Sequence, residues 1–133
     1  MNKPFYASGF LYHAHSGQIL LQQFGTDNNT KLALFSGVSH NGESPLIVFQ
    51  RCVEKALGTI IPASSIRPVY DYIHAQQGEQ FVFYVDVTGV EPKEYKSKNK
   101  TEWFSIEKIE KYPMSEQTRH DIMIGGRVIR ATH

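Results

Sequence analysis

GVSHNGESPLIVFQRCVEKALGT, residues 37–59, is the stretch that decides the fold. Its second half reads as one helix. Ser44 is a natural N-cap, and Pro45 suits the first helical position, where a missing N–H loses no hydrogen bond; Gly58 is a natural stop, which sets the helix at 45–57. Leu46, Phe49, Val53, Ala56 and Leu57 fall on one stripe at helical spacing, the pattern of a helix packed on a sheet. The first half, rich in Gly, Asn and His, reads as the loop that leads into it.

Working outward, residues 7–13 and 18–24 are β-prone runs around Ala14-His15-Ser16-Gly17 and predict a hairpin. A polar loop over 25–30 follows, then a short apolar strand from Lys31 to Phe35. Residues 66–74 and 80–88 predict a long hairpin around Gln76-Gln77-Gly78-Glu79, with Pro68 kept near its start or edge. Lys93 to Lys100 reads as a charged loop, Glu102-Trp103-Phe104 as a short strand and residues 105–109 as a helical turn. Ser115 caps a last helix expected to end by Gly125-Gly126. Neither a repeat nor a linker divides the chain, so residues 1–133 form one α+β domain, long enough to bury a core of its own.

The central stretch resembles the Nudix box, G-x5-E-x7-R-E-U-x-E-E-x-G-U, in which U is bulky and aliphatic. Gly37, Glu43, Arg51, Val53 and Gly58 stand in register with it. Asn41-Gly42-Glu43-Ser44-Pro45 is similar to the family's step into the helix, and Glu102-Trp103-Phe104-Ser105-Ile106-Glu107 to its late strand and turn. The resemblance covers nearly the whole chain. It implies the Nudix fold, an α/β/α sandwich with a mixed β-sheet, a box helix and a C-terminal helix. It also implies structural roles for Gly37, Glu43, Arg51 and Gly58, the Glu43–Arg51 pair holding the loop against the helix by charge-assisted hydrogen bonds.

In that family the box glutamates bind Mg2+ or Mn2+, which bridges a diphosphate and activates water. Here those positions carry Cys52, Lys55 and Ala56, while His40 stands where another acid is frequent, and Phe35 and Ser36 where Pro and Gly are frequent. Hard cations want several oxygen ligands, and a thiol, an ammonium and a methyl supply none. Glu54 lies about 200° around the helix from Cys52, away from the ligand face, and reads as an exposed charge near Arg51. Glu102 is the best surviving late acid. Glu54 and Glu102 are therefore weak catalytic candidates, and Lys55, Cys52 and His40 are candidates for ligand binding. One expectation is a Nudix protein that binds a nucleotide-like or other phosphorylated ligand, or a protein partner, without metal-dependent pyrophosphohydrolase chemistry. The alternative is an active hydrolase of a nucleoside diphosphate linked to another moiety, with a metal site rearranged around Glu102.

Fourteen basic and thirteen acidic residues leave a net charge of +1, which gives no general pull toward nucleic acid or an anionic membrane. A nucleic-acid module built on Lys93, Lys96, Lys98 and Lys100 is the outlying possibility. Cys52 is the sole cysteine, so no intrachain disulfide forms. The start of the chain lacks the continuous apolar core of a signal peptide and no run approaches a membrane span, so a cytoplasmic location is expected. His13 and His15 could share a strand face but have no sequence-local third ligand. Tyr70, Tyr72, Phe81, Phe83 and Tyr84 suit either a stacking surface or sheet packing. The oligomeric state stays open.

Overall fold

The computed structural model describes residues 3–25, 29–87, 95 and 100–132. Its elements run β1 (Tyr6–His13), β2 (Gln18–Phe24), β3 (Lys31–Ala33), β4 (Phe35–Val38), α1 (Pro45–Leu57), β5 (Ile66–His74), β6 (Gly78–Val87), β7 (Lys100–Ser105) and α2 (Glu116–Thr132). The seven strands form one mixed sheet. β1 runs parallel to β6 along its whole length, while the β1–β2, β2–β7, β2–β3, β1–β4 and β5–β6 pairs are antiparallel. Among the described residues no helix is long and apolar enough to cross a membrane.

Strand alternation divides the core into two layers. Ala7, Leu11, Leu20, Phe83 and Val85 point to one face and pack with Val48, Phe49, Val53 and Leu57 of α1. Phe10, Tyr12, Ile19, Leu21 and Tyr84 point to the other and pack with Ile122 and Ile129 of α2. The aromatic residues of β6 belong to these layers: Phe83 stacks on Phe49, and Tyr84 on Phe10. The sheet therefore lies between α1 and α2, the sandwich that the resemblance implies.

Helix α1 has the expected bounds. The Ser44 hydroxyl accepts from the Ile47 N–H at 3.4 Å, Pro45 opens the helix, and Gly58 closes it at φ 65°, a left-handed conformation that glycine adopts without strain. Three other expectations need correction. The strand expected at 31–35 is two short strands, because Leu34 marks the place where the chain leaves β2 for β1. The turn at 105–109 leads into a 3₁₀ turn at Ile109–Lys111.

Helix α2, capped by the Ser115 hydroxyl on the Thr118 N–H, does not stop at Gly125-Gly126 but continues to Thr132. Both glycines are buried, and a Cβ on Gly125 would sit 2.7 Å from the Phe10 ring. Gly125 lets the helix approach the sheet, whereas a Cβ on Gly126 would meet nothing nearer than Arg130 Nη1 at 3.4 Å. Asp121, also buried, fastens α2 to β5 by accepting from the Tyr70 hydroxyl at 2.6 Å and from Gln117 Nε2 at 2.9 Å.

Candidate functional site

The sheet forks. Strand β1 pairs with β2 at Leu11 to His13 and with β4 at Tyr6 to Gly9; β2 pairs with β1 at Gln18 to Leu20 and with β3 at Gln22 to Phe24. Gln22 stands at the fork and donates from Nε2 to the Leu34 carbonyl at 3.2 Å. The opening is covered on one side by α1, and the cavity between them measures about 490 Å3. Its walls are Gln22 and Phe24 of β2, the segment from Ala33 to Val38, His40, and Arg51, Cys52, Lys55 and Ala56 of α1.

Cys52, Lys55 and Ala56 thus reach one cavity because positions i, i+3 and i+4 of a helix share a face. The approach of α1 to β4 is close. A Cβ on Gly37 would fall well inside contact distance of the Cys52 sulfur, which makes glycine necessary there. The half-buried Cys52 has its thiol pKa raised by burial; the nearby Arg51 and Lys55 charges oppose that shift without cancelling it. The thiolate is therefore scarce near neutral pH.

Glu43 and Arg51 form the anchor of the preceding loop. Arg51 donates from Nε to Glu43 Oε2 at 2.8 Å and from Nη2 to Glu43 Oε1 at 2.9 Å, a two-point contact, and also from Nη2 to the Val38 carbonyl at 3.0 Å. The His40 N–H adds a 2.8 Å bond to Glu43 Oε1. The Arg51 bonds first and the His40 N–H second pull the Glu43 carboxyl down to about 2. The Arg51 guanidinium is thereby committed to the loop, and the exposed Lys55 is the second cationic side chain of the cavity wall. Among the described residues no carboxylate forms an ion pair with Lys55.

The two remaining acids lie elsewhere. Glu54 is not an exposed charge: its half-buried carboxylate accepts from the Ile61 N–H at 2.9 Å and ties α1 to the following loop. Glu102 pairs with Leu21, whose side chain belongs to the α2 layer, so it projects from the opposite face of the sheet. His13 is buried, its Nδ1 3.2 Å from the Ser16 N–H, and its ring packs at 6.1 Å against Trp103. Lys93, Lys96 and Lys98 of the basic run lie outside the described residues.

The donor set does not suit a hard divalent cation. No Asp or Glu lines the cavity among the described residues, and no three His, Cys, Asp or Glu side chains cluster as metal ligands there or elsewhere in them. Gln22, Phe24, Ser36 and Val38 are cavity residues that sequence reasoning passed over. Their signal was weak, although alternation from Leu20 puts Gln22 on the α1 face.

This architecture has solved counterparts. MutT from Aliivibrio salmonicida and Vibrio cholerae is represented by a chain 13% identical to this one with a TM-score of 0.70, the match covering 92% of this chain and 98% of that one. The chain has the Nudix fold. The NUDIX domain of Shewanella oneidensis NrtR, solved in complex with ADP ribose, is 12% identical with a TM-score of 0.69 over 97% of this chain and 90% of its own. A NUDIX hydrolase from Nitrosomonas europaea is 18% identical with a TM-score of 0.64 over 95% and 90%. No protein-family model matches the chain, and no curated protein matches it. The likeness to Nudix structures is therefore one of backbone path, retained at low sequence identity.

Proposed function

We propose that the chain binds a nucleotide-like or other phosphorylated ligand in the cavity between α1 and the sheet fork, without metal-dependent pyrophosphohydrolase chemistry. The observation that carries this reading is the chemistry of the α1 wall: Lys55 stands between Cys52 and Ala56, and no carboxylate lines the cavity among the described residues. An ammonium can meet phosphate oxygens directly, where a row of carboxylates would need an intervening cation. Phe24 and Val38, both partly exposed at this cavity, offer apolar contact for the rest of the ligand. The NrtR NUDIX domain in complex with ADP ribose supports a diphosphate of that size as the first probe.

Calorimetry with ADP-ribose in the presence of a chelator tests the reading. Binding is expected without metal, and Lys55→Glu is expected to weaken it by about tenfold or more, on the order of 1.4 kcal/mol. The reading falls if no compound of a diphosphate panel binds without metal, if Lys55→Glu binds as well as the parent, or if Mg2+ produces release of phosphate or nucleoside monophosphate.

A further inference from the structure

The outer edge of β4 faces the fork of the sheet, and strand alternation decides which backbone groups it presents. Tyr6 stands opposite Val38, so Phe5 stands opposite Ser39, and the Ser39 N–H donates to the Phe5 carbonyl at 2.8 Å. In an antiparallel pair, residues that bond their neighbour alternate with residues that do not. Phe35 and Gly37 therefore turn their N–H and C=O groups toward β1, while Ser36 and Val38 turn theirs away from it. The Val38 carbonyl agrees, since it accepts from Arg51 Nη2 at 3.0 Å.

Side chains close both ends of this edge. At one end Gln22 Nε2 donates to the Leu34 carbonyl at 3.2 Å, and at the other Arg51 takes the Val38 carbonyl. Between these ends lie the Ser36 N–H, the Ser36 C=O and the Val38 N–H. Among the described residues β4 pairs with β1 alone, and no hydrogen bond reaches these three groups. Ser36 and Val38 are both exposed and both line the cavity under α1. An open strand edge is a template for pairing, but this stretch is too short for another strand. A paired chain would also need the Leu34 and Val38 carbonyls, and both are taken. What remains is an acceptor and a donor pointing the same way, which suits a small molecule offering a donor and an acceptor side by side.

We propose that the open edge of β4 binds a nucleobase-like heterocycle, a planar ring with a hydrogen-bond donor next to an acceptor. The Ser36 carbonyl accepts from the ring's N–H, the Val38 N–H donates to the adjoining ring nitrogen, and Phe24, 43% exposed at the same cavity, gives the ring an apolar surface. This rests on the reading in which Lys55 meets the phosphate, and it assigns the uncharged end of the same ligand.

Adenosine, which has the ring edge without a phosphate, is the probe. Purine riboside, which lacks the amino donor, and N6,N6-dimethyladenosine, in which that donor is blocked, are the comparisons. In a titration with chelator present, adenosine is expected to move the Ser36 and Val38 amide signals saturably and to bind at least about tenfold more tightly than either comparison. Val38→Pro removes the donor at a position where the N–H has no partner, a place where an edge strand tolerates proline, and is expected to weaken adenosine by a similar factor. The proposal is overturned if adenosine gives no saturable shift at these amides, if either comparison binds as well, or if a folded Val38→Pro binds as the parent does. Should Val38→Pro fail to fold, the ligand comparison still decides it. ADP separates this proposal from the reading beneath it. If adenosine behaves as expected and ADP binds no more tightly, the edge of β4 is upheld and the phosphate reading falls; if ADP binds without moving the Ser36 and Val38 amides, this proposal falls and the phosphate reading stands.

Discussion

Gly37→Ala perturbs the closest approach between α1 and the sheet, and its effect can be worked out from two atoms. The new methyl would collide with the Cys52 sulfur; the next neighbour, Cys52 Cβ, lies at 3.6 Å, an ordinary contact. Gly37 does not use the positive φ that would strain an alanine by itself. Overpacking of this kind costs about 1–3 kcal/mol. With Cys52→Ala already in place the obstacle is gone, and Gly37→Ala should be neutral or stabilising by about 0.4–1 kcal/mol, because alanine restricts the unfolded chain more than glycine does. The substitution should thus change sign with its background, giving a coupling energy of about 2 kcal/mol. Urea denaturation of the parent, both single variants and the double variant measures it, provided the slopes agree. Additivity within about 0.5 kcal/mol would refute the account, since the glycine would then be serving something other than clearance for the thiol.

Three further outcomes follow from charges and donor sets. Because Glu43 titrates near 2 in the fold against 4.5 for its ordinary value, its stabilising contribution is complete above pH 4.5 and disappears as pH falls toward 2. The gap in thermal midpoint between the parent and Glu43→Gln should close across that window, and a pH-independent gap would show that the carboxylate charge is not involved. Asp121 behaves in the opposite sense: burial raises its pKa above 3.8, outweighing the Tyr70 and Gln117 hydrogen bonds, so stability declines as pH rises from 3.8 through the folded-state value. Asp121→Asn should lose that decline, and an unchanged pH profile of the denaturation midpoint would contradict it. Finally, millimolar Mg2+ or Mn2+ should leave the melting temperature unchanged, as among the described residues no carboxylate lines the cavity under α1 to stabilise the native state by binding the cation; a saturable rise of several degrees would disprove this.

Local signals carried much of the fold. Helix α1 was legible to its last residue because Ser44, Pro45 and Gly58 are punctuation whose meaning depends on backbone chemistry within a turn or two. The hairpin of β1 and β2 was legible for the same reason, as was the spacing that puts Cys52, Lys55 and Ala56 on one face. The end of α2 was not. Gly125-Gly126 carries a local stop signal, and the nearby Phe10 ring, distant in sequence, turns it into a clearance. Glu54 read as a surface charge until the returning chain brought the Ile61 N–H to it.

Helix α1, the strand periodicities and the placing of Cys52, Lys55 and Ala56 on one helical face were readable along the chain alone, since each is a property of neighbouring residues. Only the tertiary structure decided that the sheet forks at Gln22 to open a cavity under α1. It likewise placed Glu102 on the far face. These features depend on strand register and on which strands become neighbours, and those are set by long-range pairing that no local pattern encodes.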